Sequence, residues 1–303
     1  MKTLLGRTWT FADVAPVLNG AGLIVLLVDG AGAPAIALMS AGAAVLVAVN
    51  LFFLRRSPTL DVLTMVLGAA FLLLADLAWL GERPVPFLTP WWTAFLVLTI
   101  VGERLELAKL RAHGPAAQAT FGLAVVAYGG ALLLMVVDEG LGMRLSGAGM
   151  IALAVWLLRY DIALMTIRRS GLPQFVAACL ISGYVWLGVG GAVILLSEPM
   201  FAGFSYDAYL HAVLLGFVFS MVFGHAPIIF PAVMERPIGF TPFAYVPLAV
   251  LHFSVALRIL ADLAGIQTVR QAAGVWTGVA IVLYGEFIVY GLMRGVSRSW
   301  DSR

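Results

Sequence analysis

Residues 207–236, DAYLHAVLLGFVFSMVFGHAPIIFPAVMER, decide how this chain is read: they form one long apolar segment that still carries two of the chain's four histidines. His211 and His225 stand fourteen residues apart. In a regular α-helix fourteen steps of about 100° return to within roughly 40° of the starting face while climbing about 21 Å, so both imidazoles fall on one stripe at different depths. An imidazole inside a bilayer needs a partner, which a neighbouring helix, a water path or a metal supplies. Ionisable groups at that depth are functional candidates by default.

Composition outside this stretch sets the class. Of 303 residues, 62% are hydrophobic and 11% charged, and the mean hydropathy is +1.02. Soluble domains carry about a quarter charged residues, so the partner implied here is the lipid bilayer. A net charge of +2, dispersed along the chain, lacks the basic face that nucleic acid requires. Cys179 is the only cysteine, which removes a disulfide framework and a thiolate cluster. No CxxCH, phosphate-binding or dinucleotide loop occurs, and Lys109, the one lysine near a span, lies at a helix end, which argues against a retinal protein.

Crossing about 30 Å of hydrocarbon takes about twenty apolar residues. Ten such runs lie near 12–28, 35–54, 59–80, 91–110, 118–137, 147–167, 174–196, 207–234, 239–262 and 272–294. The first, preceded by MKTLLGRTW and followed by AGAPA, is also readable as a signal peptide; it is taken here as a span. With the N-terminus inside, Lys2, Arg7, Arg55, Arg56, Lys109, Arg111, Arg168, Arg169, Arg236, Arg294, Arg298 and Arg303 fall on the cytoplasmic side, against Arg83, Arg144 and Arg270 outside. That imbalance predicts an all-α, polytopic transmembrane bundle of one domain over 1–303, with both termini cytoplasmic. Arg-Arg-Ser or a similar group ends helices two, six and ten, a period of four that the positive-inside rule also explains.

Counting residues from each turn gives depth. His225 on the eighth span and His252 on the ninth come within roughly 5 Å of one level on antiparallel neighbours. Glu103, Arg104, Arg159, Asp161 and Glu286 fall near the same inner level, while His211, Arg258, Asp262 and Asp76 form an outer set. Charges near mid-membrane cost about 2.5–3.5 kcal/mol each on insertion scales, so they should face one another or a cavity. The inner set reads equally as proton relay or as ion pairs, and the histidines as ligands or as interhelical donors. His113, after Lys109 and Arg111, is expected in a solvated loop.

Gly216 and Gly224 on the eighth span, with Gly188, Gly190 and Gly191 on the seventh, predict either close helix packing or room for a flat ring. Pro227 and Pro231 predict freed carbonyls just after His225, at a kink or a helix end.

The run HAVLLGFVFSM, with His211, Ala212, Gly216 and Met221, resembles NnrS-type membrane proteins. LHAVLLGFVFSMVFG, Pro231, Glu235-Arg236-Pro237 and LAVLHFSVALR together resemble a helix hairpin of short relatives of haem-copper oxidase subunit I. About sixty residues carry the likeness. The resemblance implies haem b, with copper as a further metal, a link to nitric oxide, oxygen or respiratory redox chemistry, and the cytoplasmic membrane of a bacterium or archaeon. On this reading His211 is the axial ligand, Gly216 makes room for the ring, Arg258 pairs the propionates, and His225 with His252 holds copper or a second cofactor. Four histidines, and Tyr209 in place of the first histidine of an H-x-H, leave too few ligands for a complete oxygen-reducing centre. The alternative is a ten-span transporter with intramembrane relay sites at Glu286, Asp161 and His225. Enzyme status stays open between the two.

Overall fold

The computed structural model describes residues 11–108, 114–198, 201–235 and 239–300. Lys2, Arg7, Lys109, Arg111, His113, Arg236, Pro237 and Arg303 lie outside the described residues, as do the side chains of Arg294 and Arg298. Among the described residues every regular element is helical. Ten helices are long and apolar enough to cross a membrane: α1 Phe11–Asp29, α2 Ala33–Arg56, α3 Leu60–Leu80, α4 Val85–Leu107, α5 Pro115–Leu134, α6 Glu139–Tyr160, α7 Leu172–Leu196, α8 Phe204–Met234, α9 Pro242–Ala264 and α10 Gln267–Met293. The chain divides into two compact units, Met1–Val137 and Asp138–Arg303, with five of these helices in each.

In unit 1, consecutive helices α1 to α4 pack each against the next, and α5 touches α3 and α4. Short turns make antiparallel neighbours inevitable. Pro34 opens α2 and Arg55 and Arg56 close it, the arrangement favoured by fixed φ at a helix start and by positive charge at the carbonyl end. Apolar Phe71, Leu98, Phe121 and Tyr128 are buried in this unit together with the polar Asp61, Asp76 and Arg104. Helix α4 begins at Val85, six residues before the expected run, and carries Pro90 inside it. One missing N–H near the start of a helix is not enough to stop it.

In unit 2, α6 packs on α7, α7 on α8, α8 on α9 and α9 on α10. Helix α6 covers Glu139–Tyr160 rather than 147–167. Asp138 caps its start by accepting the Leu141 N–H at 2.9 Å, and such a cap outweighs the charges that follow it. Asp161, expected on this helix, stands just past its end and accepts the Ala163 N–H at 2.7 Å. The short helical turn Ala163–Thr166 follows.

Helix α8 is not uniform: His211–Val218 is π-helical, between α-helical Phe204–Leu210 and Phe219–Met234. Pro227 lacks the N–H that would bond the carbonyl four residues back, that of Phe223. Tyr284 from α10 donates its hydroxyl to that carbonyl and stacks on Phe223 with centroids 3.7 Å apart. The freed acceptor predicted beside His225 is thereby taken by a neighbouring helix. Helix α9 ends at Gly265, whose φ of +69° is the left-handed conformation that glycine adopts without penalty. The tight reversal brings α10 straight back along α9.

Candidate functional site

The α9–α10 reversal and the first turns of α8 build a polar cluster in unit 2. Asp207 and His211 are four residues apart on α8, and Arg258 and Asp262 four apart on α9, so each pair shares a helix face. Arg270 arrives from the first turn of α10. Arg258 donates from Nε to Asp207 Oδ2 at 3.0 Å and to Asp262 Oδ2 at 3.2 Å, from Nη2 to Asp207 Oδ2, and from Nη1 to the Arg270 carbonyl at 3.1 Å. Arg270 donates to Asp262 Oδ1 and, from Nη2, to Asp207 Oδ2 at 2.8 Å. Its guanidinium also lies over the Phe204 ring, 4.4 Å from the centroid. Asp262 is 1% exposed. Two carboxylates and two guanidiniums thus close on one another with a formal charge of zero.

His211 borders this network. Its Nδ1 donates to the Asp207 carbonyl at 2.8 Å and lies 3.5 Å from that residue's carboxylate. Asp207, His211 and Asp262 each offer a ligand atom within 4.8 Å of the others. Three of the four carboxylate oxygens, however, are already engaged by guanidinium N–H groups, and Asp207 Oδ1 faces His211 Nδ1, so a cation drawing on Asp262 would have to displace an arginine.

Among the described residues the three spanning histidines do not form one ligand set. His225 donates from Nδ1 to the Met221 carbonyl at 2.6 Å. His252 instead accepts the Trp186 Nε1–H at Nδ1, 2.9 Å away, with the two rings stacked 6.3 Å apart. Accepting at Nδ1 puts the proton of the neutral ring on Nε2. As placed, His252 has no lone pair for a metal. The shared stripe of His211 and His225 assumed 3.6 residues per turn, whereas the π stretch winds with i→i+5 bonds and changes the phase.

Gly216 does admit a flat ring, but the ring is Trp186: a Cβ on Gly216 would meet the indole Cγ at 2.5 Å. Gly190 similarly accommodates Val213, and Gly224 accommodates Cys179. The glycines therefore serve helix packing. Trp186→Phe is expected to cost about 1 kcal/mol, the net worth of a buried hydrogen bond, seen as a lower unfolding midpoint that His252→Phe added to it does not lower by the same amount again.

The residues expected at the inner level do not assemble as one relay within either unit. In unit 1, Arg104 lies 3.6 Å from Glu103. In unit 2, exposed Arg159 sits over the Tyr160 ring rather than pairing with Asp161, and Glu286 is exposed on α10. Asp76, expected with His211, has its hydrogen bond to Trp92 inside unit 1. Asp207, Arg270 and Trp186 were not singled out by spacing. The two four-residue intervals were visible, but only the reversal at Gly265 makes Arg270 a partner.

These features define an integral membrane protein: ten apolar helices among the described residues, all-α, with two carboxylates and two guanidiniums closed into a network around the buried Asp262 in one unit. The chain belongs to the family described as a domain of unknown function, DUF8744, whose model matches residues 3–292. No curated protein and no solved structure matches it.

Proposed function

We propose that this protein is a membrane carrier for a small charged solute, with the four-charge network of unit 2 as its gate. The observation that carries the reading is the closure of Asp207, Arg258, Asp262 and Arg270, drawn from three spanning helices, into a set with no net charge. Each of these groups alone is costly within a bilayer. Together they exchange partners without changing their total, so an incoming charge can replace one member while the helices shift. His211, at the edge of Asp207, is the group through which a proton reaches the network. The π stretch that starts at His211 supports this, since such stretches interrupt the regular ladder at functional positions.

Ser254 tests the reading without knowledge of the solute. It lies one turn from Arg258 on α9 and is fully buried. Ser254→Cys, in a Cys179→Ala background and reconstituted in vesicles of uniform orientation, is expected to react with a membrane-impermeant maleimide from both sides of the membrane. Labelling from one side alone, or from neither, overturns the gate.

Haem b is the second reading. Its support is the His211 tautomer: donation from Nδ1 to a backbone carbonyl leaves the lone pair on Nε2, as an axial ligand requires. The other parts of that expectation meet packing. Trp186 fills the space at Gly216, Arg258 is committed to Asp207 and Asp262, and the protonated Nε2 of His252 does not suit copper. A porphyrin at His211 therefore requires these groups to move. A Soret band in the purified protein that disappears in His211→Ala, with iron found by metal analysis, would establish this reading and its nitric-oxide or respiratory role as the one to pursue.

A further inference from the structure

Unit 1 contains a titratable group that the gate does not use. Asp76, near the end of α3, is 0% exposed. Its Oδ1 accepts the Trp92 Nε1–H from α4 at 2.9 Å, and Trp92 is braced edge-on by Trp79 with centroids 5.3 Å apart. Its Oδ2 is buried with no hydrogen-bond partner among the described residues.

Among the described residues of unit 1, the helices packed on α3 supply no counter-charge. On α2 the charged residues are Arg55 and Arg56, in the last turn. On α4 they are Glu103, Arg104 and Glu106, around Gly102, which packs against Asp61 and Met65 at the opposite end of α3. Helix α5 carries no charge, and its titratable side chain is Tyr128. Glu82 and Arg83 occupy the turn after α3, and among the described residues neither pairs with Asp76. A lone carboxylate held by a single neutral donor in an apolar interior is the less favourable of its two states.

We infer that Asp76 is a proton-binding site, carrying a dissociable proton on Oδ2 while Trp92 holds Oδ1. On release the proton passes from Oδ2 to water that reaches the site, and the negative charge stays on the carboxylate with the indole N–H still bonded to it. The ligand is the proton itself, and the indole keeps the acid oriented in both states. This does not rest on the gate in unit 2, which can fail while Asp76 still binds a proton.

The test uses the full chain in lipid nanodiscs. Infrared spectroscopy at neutral pH is expected to show a protonated-carboxyl carbonyl band that is lost in Asp76→Asn and kept in Asp161→Asn. Trp92→Phe should shift that band upward, because its carbonyl loses a donor. Dicyclohexylcarbodiimide, which reacts with protonated carboxyls in apolar surroundings, should place its adduct on the peptide containing Asp76, with yield falling as pH rises. Asp76→Asn, isosteric with the neutral acid, should leave the unfolding midpoint unchanged at neutral pH. A carboxylate band at Asp76 with no adduct, or a lowered midpoint in Asp76→Asn, overturns the assignment.

Discussion

Arg258→Met is expected to destabilise the protein by about 3–5 kcal/mol, the range found when one partner is removed from a buried charge pair. Its guanidinium reaches Asp207, Asp262 and the Arg270 carbonyl at once. Methionine keeps much of the stem's volume and removes every donor. Asp262, almost without exposure, would then depend on Arg270 alone while facing Asp207 across the gap. Unfolding free energies from steric trapping in bicelles measure the loss. The double variant Arg258→Met with Asp262→Asn restores charge balance and should recover a large part of it. A single variant within about 1 kcal/mol of the parent would mean that these carboxylates are not relying on buried pairing for their stability.

Gly147→Ala should be the most damaging small substitution in unit 2. A Cβ there would lie 2.5 Å from the Gly191 carbonyl oxygen and 2.9 Å from the Leu195 nitrogen. Both atoms are backbone, so no rotamer change relieves the contact. A Cβ on Gly191 would meet the Gly147 carbonyl at 2.6 Å, so the backbones of α6 and α7 approach closely from both sides at this point. Helix association within lipid depends on packing rather than on a hydrophobic driving force. The methyl group should therefore cost about 1–3 kcal/mol, as overpacking does. Gly130→Ala is the matched control, since nothing lies within 4 Å of its Cβ position. Equal unfolding midpoints for the two variants would contradict the crossing described here.

The helices were legible because lipid imposes a length and a polarity that apolar runs display directly. Their ends were less so. At Asp138 one capping side chain moved the start of α6 back among residues that looked like loop, and α4 starts at Val85, ahead of the apolar run at 91–110, with Pro90 inside it. The candidate site was legible in half: Arg258, Asp262 and His211 stand out as polar groups in apolar spans, and depth counting grouped them. Asp207 and Arg270 needed the chain reversal at Gly265. Trp186 needed tertiary structure altogether, since nothing local tells an indole that caps a histidine from one that packs in a core.

The π-helical segment of α8 has a further consequence for how this family can change. A helix with a constant pitch locks the azimuth of its two ends together, so that re-aiming one end disrupts the contacts of the other. Here the wider winding between His211 and Val218 acts as an adjustable coupling. An i→i+5 stretch takes in one residue more than the regular ladder would hold, so losing one residue from it would let the span run at the ordinary pitch while its two ends keep nearly their present azimuths. Single-residue insertions and deletions should therefore be tolerated in that stretch, with Asp207 holding its face toward Arg258 while Phe223 keeps its seat on Tyr284.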